Sequence, residues 1–178
     1  MLRKTLLVLI FFSWAPMLLG QSDATKKESD IYNFLRLNEN YCTGGQPKVG
    51  ELAELKATGT RAIVNLRRPS EFDEAAEVAE ARRLGLRYYN IPVNSRALQD
   101  EQVEQFLEIL EDAKNLPVFI HCGSASRVGG FWMIRRVLVD GWSIEKAEVE
   151  ALRIGLRSPT VKEFARSYIE RHMKGEGK

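Results

Sequence analysis

Val118-Phe119-Ile120 leads into His121-Cys122, then the small residues Gly123-Ser124-Ala125-Ser126, then Arg127 and a helical pattern beginning Val128-Gly129-Gly130-Phe131-Trp132. No other stretch constrains the fold as strongly. A short, unbroken apolar β-type run marks a strand buried on both faces, and such a strand needs helices above and below it. The small residues let successive backbone N–H groups curl inward into an anion-binding nest. The helix that follows aims its positive end at the same spot. A cysteine there is held readily as thiolate by the helix end and the nearby guanidinium. Taken singly, each part has an ordinary explanation. A strand-end cysteine fills cores, an interior histidine makes hydrogen bonds, and a lone arginine is a surface charge. Nucleophile, anion cradle and fixed positive charge within six residues point instead to attack on a phosphorus or sulfur centre.

Elsewhere, strand-like and helical segments alternate. Strands are expected near Phe34–Leu37, Tyr41–Thr43, Ala62–Leu66, Leu86–Ile91 and Pro117–His121. Val49, Leu52, Ala53 and Lys56 mark a first helix, closed by Gly59. Ser70, with Asp73 three residues on, reads as the N-cap of a second helix, whose apolar spacing is Phe72, Ala75, Ala76 and Ala79. Val103, Phe106, Leu107 and Leu110 give a third helix at i, i+3, i+4 and i+7, with Asp100 as its cap. Further helices follow the loop, start at Ser143, and start after Ser158-Pro159, the last carrying Val161, Phe164, Ala165 and Tyr168. The expected fold is α/β, one domain, with a central, mostly parallel sheet flanked by helices. In such sheets ligands bind beyond the carboxyl ends of the strands. Arg67 and Asn94 end strands at the same rim as Cys122, and Arg68 adjoins them.

The 178 residues, 44% hydrophobic and 28% charged, suit one globular domain. Arg3 and Lys4 alone supply the formal charge of +2, so the remainder is near neutral and nucleic acid is a poor partner. Those two bases precede an apolar run from Thr5 to Leu19, which reads as a signal peptide over residues 1–24, or an N-terminal anchor, cut after Gly20 or Ala24. Export to the periplasm or medium is the expected destination, with no stable membrane span after cleavage. Residues 25–33 read as a tether, 34–174 as the domain and 175–178 as a disordered tail. The two cysteines, Cys42 and Cys122, also admit a disulfide, permanent or reversible. The two histidines and the spacing of the acids give no metal-ligand cluster, so neither metal nor cofactor is expected.

His-Cys, a small-residue loop and Arg resembles the phosphate loop of cysteine-dependent tyrosine and dual-specificity phosphatases. Thr43-Gly44-Gly45-Gln46-Pro47, Gly59-Thr60-Arg61-Ala62-Ile63-Val64-Asn65-Leu66-Arg67 with Glu71, Tyr89-Asn90-Ile91-Pro92-Val93, and the segment from Gly141-Trp142-Ser143 to Glu150-Ala151 extend the likeness from Phe34 to Ser158. Together they resemble the bacterial phosphatase-like domains found attached to beta-lactamase-type hydrolases. The resemblance implies a phosphomonoesterase acting on a phosphorylated small molecule or phosphoprotein. Cys122 would be the nucleophile, Arg127 the phosphate and transition-state clamp, and His121 the residue tuning the thiolate. Gly123, Ser124, Ala125, Ser126 and Arg127 would form the cradle.

Three departures matter. Four residues separate Cys122 from Arg127 where the tyrosine phosphatases have five, a spacing similar to rhodanese-type sulfurtransferases. Val128 replaces the usual Ser or Thr after the arginine, leaving Ser124 or Ser126 to supply a hydroxyl. Asn94 stands where the general-acid aspartate is expected, and an amide cannot donate that proton; Asp100 is the next carboxylate. Loss of the acid slows esters with poor leaving groups by about a hundredfold or more and spares aryl esters. A sulfurtransferase and a non-catalytic phosphate-binding domain therefore stand as alternatives to the phosphatase.

Overall fold

The structure, a computed structural model, describes residues 28–175. The expected leader and the end of the expected tail lie outside the described residues. Five strands form one sheet in the order β1-β2-β5-β3-β4: β1 Leu35–Arg36, β2 Tyr41–Gly44, β3 Ala62–Asn65, β4 Arg87–Asn90 and β5 Val118–His121. Only β1 is antiparallel; β2, β5, β3 and β4 run parallel. The fold is the expected single-domain α/β architecture with a mostly parallel sheet.

Handedness explains where the helices lie. The chain moves one way across the sheet from β2 to β3 to β4, through α1 (Glu51–Ala57) and α2 (Glu74–Arg83), then doubles back to β5 through α3 (Asp100–Glu111). Right-handed crossovers in opposite directions put their helices on opposite faces. Accordingly Leu52, Leu55 and Ala81 join Cys42, Ile63 and Phe119 on one face. On the other, Ala62, Val64, Val118 and Ile120 meet α3, α4 (Ser126–Leu138), α5 (Ile144–Ile154) and α6 (Pro159–Gly175). Alternate strand residues thus feed two cores, which is why the strands read as unbroken apolar runs.

Several expectations need correction. Asp73, not Ser70, caps α2, accepting from the Ala76 N–H at 3.0 Å; Ser70 sits in a 3-10 turn, Pro69–Glu71. The buried face of α2 is Glu77 and Ala81, while Ala75 and Ala79 are exposed. Gln99 precedes α3, its N–H bonded to the Gln102 side chain at 3.0 Å, and Asp100 is the first helical residue. Residues 31–33, expected as tether, belong to the domain: Ile31 is buried in the second core. Cys42 and Cys122 are both free and lie in the two separate cores, so the sheet stands between them and no bridge forms. Burial pushes the Cys42 thiol up to about 11, partly offset by the charge of Arg36. The third and last helices carry the apolar faces expected, and Ser143 caps α5 by accepting from the Lys146 N–H at 3.3 Å. No helix among the described residues is long and apolar enough to cross a membrane.

Helices α4 and α5 touch through glycine. A β-carbon on Gly129 would lie 2.8 Å from the Ala151 carbonyl oxygen and 2.9 Å from Leu156 Cβ. Backbone cannot retreat as a flexible side-chain tip can, so Gly129→Ala is expected to cost about 2 kcal/mol through overpacking. Thermal unfolding should show a midpoint lowered by roughly 4–8 °C; an unchanged midpoint would mean that α5 moves freely.

Candidate active site

All four parallel strands end at one edge of the sheet, and the residues after β5 make the loop. Its carbonyls are turned outward, two by partners in distant segments and one by the first turn of α4. Gly123 O accepts from Gln46 N at 3.2 Å, and Ala125 O accepts from Gly129 N at 2.9 Å. Ser124 O accepts from Asn33 Nδ2 at 3.1 Å. In a planar trans peptide the N–H opposes the C=O. Outward carbonyls at 123, 124 and 125 therefore turn the N–H groups of Ser124, Ala125 and Ser126 toward the concave side. Ala125 closes the turn with φ 66°, left-handed for a non-glycine residue, and is fully buried; such backbone costs of order 1 kcal/mol or more and needs surroundings that hold it. Asn33 shares that conformation at φ 51°, one that asparagine tolerates better than most residues. Gly155, at φ 134°, approaches the Ser124 carbonyl so closely that a β-carbon would lie 3.0 Å from it.

Cys122 is 1% exposed, and its N–H reaches the Gly44 carbonyl at 3.4 Å. The Arg127 guanidinium faces the Cys122 sulfur. Its NH1 donates to Val93 O at 2.8 Å and Glu71 Oε1 at 3.2 Å, and its NH2 donates to Glu71 Oε2 at 2.7 Å. Arginine has five N–H donors; Val93 and Glu71 take three, and the remaining two are shared between the Cys122 sulfur and a ligand. Burial works against the Arg127 charge, but Glu71 and Cys122 outweigh it and raise its pKa further. Glu71 also accepts from Arg68 Nε at 2.7 Å. Burial alone would push the Glu71 carboxyl up; hydrogen bonds from Arg127 and Arg68, with their charges, hold it at about 2.

Beneath the loop lies Glu77, 2% exposed. Its Oε1 accepts from His121 Nε2 at 2.9 Å, Tyr88 OH at 3.0 Å and Asn65 Nδ2 at 3.3 Å. Its Oε2 accepts from Gln46 Nε2 at 2.5 Å. Burial opposes ionisation here too, and these donors, His121 foremost, win and lower the carboxyl's pKa. His121 is fully buried and stacks on Phe119, with ring centroids 5.5 Å apart.

The loop opens into a cleft of about 460 Å³ lined by Arg68, Glu71, Asn94, Ser95, Arg96 and Arg127. Of the residues singled out from sequence, Cys122, Arg127, Asn94 and the loop are brought together. Arg67 is not a rim residue: its guanidinium turns back to Gln46 Oε1 at 2.8 Å and to the Glu71 carbonyl. Asp100 is excluded as the acid, because it pairs with Arg171 of α6 at 2.7 Å and does not line the cleft. Ser126 Oγ already accepts from Arg157 N at 3.0 Å and Ser158 N at 3.1 Å, which ties the loop to the α5–α6 turn. Val128 is buried. Sequence reasoning missed Asn33 and Glu77 altogether. Glu71 has no task legible in the sequence beyond its place four residues after Arg67, yet it clamps Arg127.

The folded pKa of Glu71 lies below the unfolded value near 4.3, so its contribution to stability is complete above that value and is lost as pH falls toward about 2. Urea unfolding of wild type and Glu71→Gln should therefore differ most at pH 7 and converge between pH 4 and 2. A gap that widens on acidification would contradict the Arg127 clamp.

Residues 13–151 match the family described as "DSP-PTPase phosphatase fused to NAD+ Kinase". A beta-lactamase hydrolase-like protein of Xylella fastidiosa is 32% identical over 120 residues, 65% of this chain and 27% of the relative; one from Agrobacterium fabrum is 28% identical over the same span. The chain thus spans about a quarter of the length of these curated relatives. TpbA of P. aeruginosa superposes with a TM-score of 0.62 at 22% identity, covering 79% of this chain and 84% of TpbA. Tk-PTP in its active form gives 0.68 at 22%, covering 78% and 97%. The sheet order, the Cys122–Arg127 loop and the sequence match agree: this chain belongs to the family of dual-specificity and tyrosine phosphatase domains whose namesake is fused to NAD+ kinase.

Proposed function

We propose that this chain hydrolyses phosphate monoesters through a phosphocysteine. The observation that carries the reading is a buried thiol, Cys122, on the floor of a ring of inward N–H groups, faced by a guanidinium that Val93 and Glu71 hold in place without using all its donors. The Cys122 thiolate attacks phosphorus in line with the leaving oxygen. The N–H groups of Ser124, Ala125 and Ser126 take the equatorial oxygens, and Arg127 adds a charge-assisted clamp that strengthens as charge spreads in the transition state. Water then cleaves the S–P bond and restores the thiolate. His121, fixed by Glu77, orders the loop from below. TpbA, one of the structural relatives, has been crystallised with phosphotyrosine, which supports phosphomonoesters as the substrate class.

Proton donation is the weak point of this site. Asn94 occupies the acid position, Asp100 is bound to Arg171, and Glu71 stays ionised down to about pH 2. Leaving groups that depart as stable anions are accordingly favoured.

Para-nitrophenyl phosphate should be turned over by wild type and not by Cys122→Ser, with Arg127→Ala reduced on the order of a thousandfold, the scale for loss of a preorganised transition-state donor. Asn33→Asp, which sets an acceptor against the Ser124 carbonyl, should lower kcat without abolishing it. Phosphate release that survives Cys122→Ser, or turnover of thiosulfate with cyanide in its place, would overturn the reading.

The same proposal sets the protein outside the cytoplasm, supported by Arg3-Lys4 and the apolar run that follows. The exported protein should begin at Gln21 or Thr25 by intact mass; retention of Met1 in the cytoplasmic fraction would refute export.

A further inference from the structure

Beyond Arg127 the cleft has no apolar or aromatic wall among the described residues: its lining is Arg68, Glu71, Asn94, Ser95 and Arg96. With arginines and no ring among its lining side chains, the cleft suits a polar, anionic leaving group. Four arginines crowd this edge, and three are committed. Arg67 is bound to Gln46 and Glu71, Arg68 to Glu71, and Arg127 to Glu71 and Val93. The Arg96 guanidinium makes no hydrogen bond or ion pair with any described residue. Its backbone is nonetheless fixed: Asn94 Oδ1 accepts from the Arg96 N–H at 3.1 Å, and Asn94 O accepts from Ala97 N at 3.0 Å. A pinned backbone with an uncommitted cation at the mouth of an anion cradle is an arrangement for a second anionic group.

Resting on the phosphatase reading above, we propose that the preferred substrate is a phosphoanhydride, a molecule ending in a diphosphate. Its terminal phosphoryl group sits in the Cys122 loop and its inner phosphate on Arg96. Two independent features converge on this class. The cleft offers charge to a second phosphate, and the reaction needs no acid. Thiolate attack forms the S–P bond and breaks the bridging P–O bond, whose electron pair leaves on the inner phosphate. That phosphate departs as an anion without a proton from the protein, so the amide at Asn94 is no handicap. Water then hydrolyses the phosphocysteine: its oxygen bonds phosphorus, the S–P electron pair returns to the thiolate, and both protons leave with the orthophosphate, released as its monoanion.

Inorganic pyrophosphate, orthophosphate and glycerol phosphate test the idea on the full mature chain. Calorimetry on Cys122→Ser, which needs no turnover, should show pyrophosphate bound at least tenfold tighter than orthophosphate. Arg96→Gln in that background should cut the ratio to about threefold or less, and Arg96→Lys should restore most of it. In the active protein, kcat/KM for pyrophosphate should exceed that for glycerol phosphate by about a hundredfold. Arg96→Gln should raise KM for pyrophosphate about tenfold while kcat falls less than twofold. Because Arg96 is exposed, this advantage should shrink as salt screens it. Equal binding of the two anions, a ratio indifferent to Arg96→Gln, or tight binding without cleavage dependent on Cys122 would each overturn the proposal. Turnover of para-nitrophenyl phosphate alongside any of these results would leave the phosphatase reading standing; absence of turnover on every phosphate would instead remove that reading.

Discussion

One buried carboxylate ties this edge of the molecule together. Glu77 takes donors from all four parallel strands or the turns that leave them: Gln46 after β2, Asn65 at the end of β3, Tyr88 within β4 and His121 at the end of β5. A charge withdrawn from water must be surrounded by donors or it destabilises the fold severely. Glu77 therefore ties the four parallel strands to one another below the loops that carry Arg67, Asn94 and Cys122. Asn90 extends the lattice by donating to the carbonyls of Asn65 at 2.9 Å and Arg67 at 2.8 Å. The Cys122–Arg127 loop is the visible part of a polar foundation.

Upon that base the loop is shaped from outside. Gln46, Asn33 and the α5–α6 turn each hold one of its outward groups, so the inward ring of N–H groups does not depend on the loop's own sequence being stiff. Small residues at 123–126 make the curvature possible; their partners make it permanent. The clamp on Arg127 works likewise, since Glu71 and Val93, from other segments, fix its guanidinium. Shortening the Cys-to-Arg spacing to four residues is compatible with this frame, because Ala125 absorbs the tighter turn in its left-handed conformation.

What the sequence made legible was what is local along it. Strand, loop, helix start and arginine are consecutive, so the nucleophile and its cradle could be read directly, and the helical spacing of Val103, Phe106 and Leu110 or of Val161, Ala165 and Tyr168 named true core faces. Illegible were the contacts between distant segments. Ala75, Ala76 and Ala79 suggested an apolar face for α2, but alanine is indifferent to burial, and the face was chosen by an acid whose four donors lie on other elements. Nothing near Asn33 announces its bond to Ser124. Arg67 looked like a rim charge because a strand end was in view, while the glutamine that claims it was not. The absent bridge between Cys42 and Cys122 followed from strand alternation, which sends the two sulfurs to opposite faces.

The span of these struts has a consequence for how the protein matures. Asn33 and Ser124 are 91 positions apart, Arg127 and Glu71 are 56, and His121 and Glu77 are 44. Closing such distances is slow, because loop entropy must be lost before the contact compensates for it. A chain that had formed only β5 and α4 would carry every residue of the chemical motif and yet hold its amides and guanidinium askew. The geometry of the loop is therefore complete only when segments from most of the described chain have come together.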